Sequence, residues 1–315
     1  MHTLARLAAA GLVALSLSAC TARDIPYSTL EARYAAPASR YMELPGDLRI
    51  HYRDEGPRDA PPLVLVHGYS ASLHAWEPWV QRLSPEFRII TLDLPGHGLT
   101  RAPANYEAAT ARSVAIVDQL TRKLGVERFV LGGNSMGGGV AWNYALAHPE
   151  RVRGLVLVDA AGWPDPDRDQ KGSPMVFKLL ANPVGRAILR NADPGLMAEK
   201  GLKQAYGDDR LVTPAVVQRY VELARAPGHR AILTSGRGGP RPTVTPETFK
   251  AIRAPTLVMT GERDALIPAD HARGFAGAIP GAKLIVYPEG GHVPMEQLPD
   301  QTAADVRFFM KTLPQ

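Results

Sequence analysis

One cysteine, Cys20, stands in 315 residues, so no disulfide can form within the chain. Burial and hydrogen bonding alone must hold the fold, whatever the redox compartment. Metal hydrolysis is not indicated, because neither H-E-x-x-H nor a comparable ligand spacing occurs. No apolar run approaches the roughly 20 residues that a spanning helix needs. No G-x-G-x-x-G follows the first strand-like segment with an acid at the right distance, which argues against a dinucleotide site. Aromatics are only 7% of the chain, and 36 Lys and Arg alternate with 31 Asp and Glu for a net charge of +5. Such scattered charge permits weak attraction to anionic surfaces. It lacks the basic stripe with interleaved aromatics that a nucleic-acid module uses, so nucleic acid is not expected as a partner.

What is present reads as an ordinary globular chain, 45% hydrophobic and 21% charged, long enough for one large core with an inserted subdomain. The start is distinct. "MHTLARLAAAGLVALSLSAC" carries Arg6, an apolar run from Leu7 to Leu17, and small residues before Cys20. That is the build of a secretory signal. "LSAC" resembles the lipobox of bacterial lipoproteins, which implies cleavage after residue 19 and a diacylglyceryl group on the Cys20 sulfur. A cleaved signal with an incidental cysteine, or an uncleaved anchor, are the alternatives. Lipidation would also dispose of a lone free thiol in an exported protein, and two or more acyl chains anchor stably. Thr21, not Asp, follows, which in that family favours the outer membrane. Residues 20–40, with Pro26 and Pro37, read as a tether.

From residue 41 the pattern is strand, turn, helix, repeated. "RYMELPGDLRIHYRDEG" reads as a hairpin turning at Pro45, Gly46 and Asp47. "PLVLVHG", "FRIITLDL", "RFVLGG", "GLVLVDAAG", "PTLVMTG" and "AKLIVYPEG" are short continuous apolar runs, as strands buried on both faces should be. Helical patterns fall near 76–84, 110–124, 137–148, 269–278 and 299–313. The expectation is an α/β fold with a mostly parallel sheet covered by helices on both faces. Residues 163–248 break the alternation with helical periodicity and no convincing strand, as in "TPAVVQRYVELARA". We read them as a helical cap inserted between core segments 41–162 and 249–315, over the carboxyl ends of the strands, where open sheets bind ligands.

In "LGGNSMGGGVAW" one serine, Ser135, lies between glycines at a strand-to-helix junction. Small neighbours let the chain turn sharply and present the hydroxyl outward, and the helix that starts there favours negative charge at its first N–H groups. A serine needs a base, and the base an orienting acid. Asp264 follows "PTLVMTG" and His292 follows "AKLIVYPEG", both at carboxyl strand ends and in the order Ser, Asp, His. Taken singly, Asp264 is equally a helix cap and His292 a loop histidine. Asp159, closing "LVLVD", is an alternative acid; Glu262 lies earlier in the turn and reads as solvated.

With those residues in place, the chain resembles the α/β-hydrolase superfamily, in particular its capped esterases, lipases and carbon–carbon bond hydrolases. "LVHGYSASLHAW" looks like the oxyanion-loop segment, "DLPGHGLT" like the loop after the next strand, "GNSMGG" like the nucleophile elbow, "GERDALIP" like the acid loop and "GGHVPMEQ" like the histidine loop. The resemblance implies an eight-stranded type of sheet. It implies backbone N–H groups of Tyr69 and Met136 as oxyanion donors, His67 and His97 as structural, and no cofactor. His74, His148, His229 and His271 receive no role.

Serine at position 135 separates the chain from relatives that use an elbow aspartate, namely haloalkane dehalogenases and epoxide hydrolases. The leading expectation is hydrolysis of a small hydrophobic carboxylic ester through an acyl-enzyme on Ser135. Met175, Phe177, Leu179, Leu180 and Trp163 are candidates for an apolar pocket, or else ordinary packing. A carbon–carbon hydrolase, a cofactor-free perhydrolase on the same triad and a non-catalytic ligand-binding lipoprotein are the alternatives.

Overall fold

The computed structural model describes residues 23–165, 175–235 and 243–314. Its centre is an eight-stranded sheet in the order β1-β2-β4-β3-β5-β6-β7-β8. The strands are β1 (Ser39–Leu44), β2 (Leu48–Glu55), β3 (Pro62–Val66), β4 (Arg88–Leu92), β5 (Phe129–Asn134), β6 (Val152–Val158), β7 (Thr256–Gly261) and β8 (Lys283–Tyr287). β1 and β2 form the expected hairpin, β2 pairs antiparallel with β4, and every later pairing is parallel. Successive side chains of β3 serve opposite faces. Val64 and Val66 enter one core cluster, Leu63 and Leu65 the other. Both faces are therefore apolar, and the strand is a continuous apolar run with no polar alternation.

Core helices are α1 (Tyr27–Tyr34), α2 (Glu77–Leu83), α3 (Thr110–Lys123) and α4 (Met136–Ala147). Among the described residues between β6 and β7 lie α5 (Met175–Ala181), α6 (Pro183–Asn191), α7 (Gly195–Tyr206), α8 (Pro214–Ala224), α9 (His229–Leu233) and α10 (Pro246–Phe249). The chain ends with α11 (Ala269–Ala278), α12 (Pro294–Gln297) and α13 (Pro299–Thr312). Among the described residues no helix is long and apolar enough to cross a membrane.

The insertion rests on loops at the carboxyl ends of strands. Tyr69 Oη, after β3, donates to Leu233 O at 3.0 Å, and His292 N, after β8, donates to Ala205 O at 2.7 Å. His229, buried in α9, reaches Thr100 O beyond β4 at 3.1 Å.

Cys20 and the expected signal at 1–19 lie outside the described residues. Part of the expected tether does not, and the structure corrects it. Residues 27–34 form α1, which is docked. Leu30 is fully buried, Tyr34 Oη and Arg33 both bond Glu222 of α8, and Tyr27 Oη meets Thr100 O and His229. Tyr27, Leu30 and Tyr34 recur at helical spacing. Pro26 stands at the N-cap, a tolerated place for proline just before a helix, so reading it as a sign of extended chain misjudged the segment.

Candidate active site

Ser135 joins β5 directly to α4, at φ +54°, in the left-handed region that non-glycine residues rarely occupy. Three main-chain bonds hold it there: Ser135 N–H to Val158 O (3.0 Å), and Gly139 N–H (3.1 Å) and Ala161 N–H (2.9 Å) to Ser135 O. The glycines have a packing reason. A Cβ on Gly137 would run into the carbonyl oxygens of Val66 and His67, so only glycine lets α4 start this close to β3. A Cβ on Gly68 would lie 2.8 Å from Asn134 Oδ1 and 3.3 Å from Ser135 Cβ, so the loop after β3 passes directly beside the serine. Met136 opens α4, and N–H groups in a first helical turn have no acceptor within the helix. Tyr69, next to Gly68, is half-buried.

Asp264 and His292 meet. His292 Nδ1 lies 2.6 Å from Asp264 Oδ2, and both side chains are buried. Because the carboxylate oxygen can only accept, Nδ1 carries the proton and Nε2 is the basic nitrogen. Asp264 Oδ1 accepts from Leu266 N–H (2.7 Å) and Ile267 N–H (2.9 Å). The two readings of Asp264 coexist, since one oxygen caps the turn and the other faces the imidazole. Asn134, the variable position of G-x-S-x-G, ties the halves together by donating from Nδ2 to His292 O (2.9 Å) and Val158 O (3.3 Å). The motif gives no hint of this bond, because its partner lies on the far side of the sequence.

The remaining candidates settle by their contacts. His67 Nε2 accepts from Leu94 N–H (3.1 Å), so Nδ1 is protonated and donates to Gly68 O (2.8 Å). Burial pushes its pKa down, so the ring is a neutral brace for the loop. Burial likewise holds His97 well below its ordinary value. Glu262 is exposed and paired with Arg273 at 2.7 Å. Asp159 is buried and bonded to Thr260 and Gly261.

The apolar residues offered for a pocket do not gather. Met175 is 68% exposed and Leu180 is fully buried. Trp163 stacks on Phe249 (5.4 Å between centroids) and meets Phe275 edge-on, so it is packing. The Phe177 side chain lies outside the described structure. A cleft of about 240 Å³ opens between α2, the insertion and α12, with His74, Arg219 and Glu296 but also Leu211 and Val216 among its walls, and neither Ser135 nor His292 lines it.

Sequence reading also missed a hydrogen-bonded set of the same three residue types elsewhere in the fold. Ser39 Oγ lies 2.8 Å from His51 Nε2, and His51 Nδ1 lies 2.7 Å from Asp93 Oδ2. Burial alone would raise the Asp93 carboxyl, yet the hydrogen bond and charge of His51 take it well below the usual range. Its setting differs from that of Ser135. His51 and Asp93 are fully buried, Ser39 sits on the sheet's antiparallel edge, and its Oγ already accepts from Ala36 N–H at 3.0 Å. This set braces the hairpin against the loop after β4.

The sequence matches the family model of the alpha/beta hydrolase fold over residues 61–298. It is similar to 2-hydroxy-6-oxononadienedioate/2-hydroxy-6-oxononatrienedioate hydrolase of Comamonas testosteroni, 29% identical over 257 residues that cover 78% of this chain and 85% of that one. Among solved structures it is similar to a membrane phospholipase A described as a bacterial virulence factor. That pair is 26% identical with a TM-score of 0.73, covering 98% of this chain and 96% of the other. A carboxylesterase of Bacillus subtilis is 25% identical with a TM-score of 0.72, covering 90% of this chain and 95% of the other. The sheet order, the serine at the β5–α4 turn and the match across most of the chain together make this protein a member of the alpha/beta hydrolase family.

Proposed function

We propose that the protein is a serine hydrolase of hydrophobic carboxylic esters, acting through an acyl-enzyme on Ser135. The observation that carries this reading is the 2.6 Å contact of His292 Nδ1 with Asp264, in a loop tied through Asn134 to a serine held at φ +54°. His292 Nε2 takes the Ser135 proton as Oγ attacks the ester carbonyl carbon. Asp264 keeps the imidazole in the required tautomer and balances its positive charge. The Tyr69 and Met136 backbone N–H groups receive the oxyanion, each contributing about 3 kcal/mol. The tetrahedral intermediate collapses, the alcohol leaves with the proton from His292, and water activated by His292 releases the acid.

Two similar proteins, a phospholipase A and a carboxylesterase, bear names that imply ester cleavage. We also propose, from the N-terminal sequence, residues 1–19 as a signal peptide, Cys20 as the lipidated residue, and residues 163–248 as the cap. The protein would then be an exported, membrane-anchored lipoprotein, and the word membrane in the phospholipase's description is in keeping with this. Carbon–carbon bond hydrolysis of a vinylogous diketone is the second reading, favoured by the identity with the Comamonas hydrolase.

A panel of p-nitrophenyl esters of increasing chain length, run beside a vinylogous diketone substrate, tests the proposal. Ester turnover lost in Ser135→Ala supports it. Turnover of the diketone alone would replace it with the second reading. Cys20→Ser should move the protein from the membrane to the soluble fraction, and unchanged membrane recovery would remove the lipid anchor.

A further inference from the structure

Asp159 closes β6 one strand away from Asp264, and the mechanism above gives it no task. Its φ of +43° is again left-handed, a conformation that persists only where the surroundings impose it. Those surroundings are the site itself. Asp159 N–H donates to Met259 O at 2.9 Å, and two residues on, Ala161 N–H donates to Ser135 O.

The side chain is asymmetric. Oδ1 accepts from Thr260 Oγ1 (2.7 Å) and Gly261 N–H (3.1 Å). Oδ2 is buried and receives no donor. Asp159 and Asp264 flank the same residue, for Gly261 N–H donates to Asp159 Oδ1 while Gly261 O accepts from Asp264 N–H at 3.3 Å, so the two acids are neighbours. Asp264 for its part accepts three N–H donors, from Leu266, Ile267 and His292.

Two buried neighbouring carboxylates cannot both be charged without a donor between them, because neither desolvation nor mutual repulsion is then compensated. One proton must lie between the pair. Three of the four acceptor sites of Asp264 are taken by N–H groups, whereas Asp159 Oδ2 has no donor, so the proton belongs on Asp159 and points to the remaining site. We infer that Asp159 is a protonated carboxylic acid that donates a hydrogen bond from Oδ2 to the Asp264 carboxylate and so holds Asp264 against His292. It is a positioning residue, and the inference rests on the proposed roles of Asp264 and His292.

Burial first, and then the charge of Asp264, push the Asp159 carboxyl well above its ordinary value, in keeping with this assignment. Tyr287 on β8 also feels the Asp159 carboxyl. Burial and its bond to Asp305 Oδ2 (2.7 Å) push its hydroxyl up, so it adds no charge. The imidazole then faces a single negative charge held by four donors.

The test uses the full-length protein with Asp159→Asn and Asp159→Ala. Readouts are the rate of Ser135 labelling by a fluorophosphonate across the neutral pH range, ester turnover, and an infrared difference spectrum. An amide at position 159 can donate to Asp264 and accept from Thr260 and Gly261. Asp159→Asn should therefore keep labelling within about threefold of wild type and leave the acid limb of the pH profile in place. Asp159→Ala should lower labelling and kcat by about 10- to 100-fold with KM unchanged. Wild type at neutral pH should show a carboxylic-acid carbonyl band that Asp159→Asn lacks.

Three results would each overturn the inference: equal losses in Asn and Ala, an acid limb displaced to lower pH in Asn, or no such band. Should Asp159→Ala not fold, the Asn limb and the band decide. Labelling of Ser135 without ester turnover would sink the ester reading and leave this inference to be judged by labelling. If Ser135 is not labelled at all, the infrared band alone decides it.

Discussion

Asn134 Nδ2 lies 2.9 Å from the main-chain oxygen of His292, so the residue before the serine holds the loop of the histidine. With Val158 O also in reach at 3.3 Å, two carbonyls face this atom, and only the amide nitrogen satisfies both. Asn134→Ala should lower kcat by about tenfold with little change in KM, and cost about 1–2 kcal/mol of stability for the unsatisfied carbonyls. Asn134→Asp should be worse, because it sets a carboxylate against two carbonyl oxygens. Steady-state kinetics and urea unfolding of both variants check this, and an unaltered kcat in both would show that the bond does not position His292.

Beside the proposed triad of Ser135, His292 and Asp264, the described residues hold the hydrogen-bonded Ser39–His51–Asp93 sequence, and only Ser135 is expected to react. Labelling by a fluorophosphonate should map to the peptide of Ser135 and vanish in Ser135→Ala. Ser39→Ala should label at the wild-type rate while losing about 1 kcal/mol of stability, since it removes the partner of buried His51. A labelled Ser39 peptide would contradict the assignment.

Glu296, four residues after His292, accepts from Tyr206 Oη at 2.8 Å and Tyr220 Oη at 3.4 Å, with Arg219 at 3.5 Å. Burial outweighs these partners and pushes its carboxyl up to about 7. The folded state therefore holds a proton that the unfolded chain, titrating near 4.3, has lost. Stability from this group is full below the unfolded value, falls as pH rises between the two, and is gone above about 7. Glu296→Gln should abolish that part of the slope of Tm against pH, and above pH 7 exceed wild type by on the order of 3 kcal/mol. Parallel slopes in the two proteins would show that Glu296 does not titrate there.

Gly137→Ala tests the elbow from behind. Its new methyl group meets main-chain oxygens of Val66 and His67 that cannot retreat without moving β3. A loss of about 3 kcal/mol is expected, together with activity, because the displaced strand leads into the loop of Gly68 and Tyr69 beside Ser135. Unfolding curves and kcat give both quantities, and wild-type values of each would contradict the packing argument.

The sheet was legible because strands buried on both faces are plain apolar runs, such as "PLVLV" and "GLVLV", each ending where the chain must turn. Ser135, Asp264 and His292 were nameable because each follows such a run. Asn134 could not be read, since what it does depends on a carbonyl 158 residues away. Asp159 was visible as an acid, but its unpartnered oxygen appears only once β6 and β7 lie side by side. The pocket expectation failed for a related reason. Helical spacing shows that Trp163 has an apolar neighbour, not that the neighbour is Phe249 instead of a ligand. α1 was missed because the prolines flanking it, Pro26 and Pro37, outweighed three apolar residues at helical spacing.

That helix also sets a load path. Asp24 is paired with Arg230 at 2.7 Å, Ile25 N–H is bonded to Arg225 O, and Arg33 and Tyr34 both hold Glu222. Tension entering the chain upstream of Arg23 meets the bonds of Asp24 to Arg230 and of Ile25 to Arg225 before it reaches Glu31, which is paired with Arg49 of β2. Helices α8 and α9 lie over the strand ends where Ser135 sits, so the N-terminal strap and the insertion form one mechanical unit.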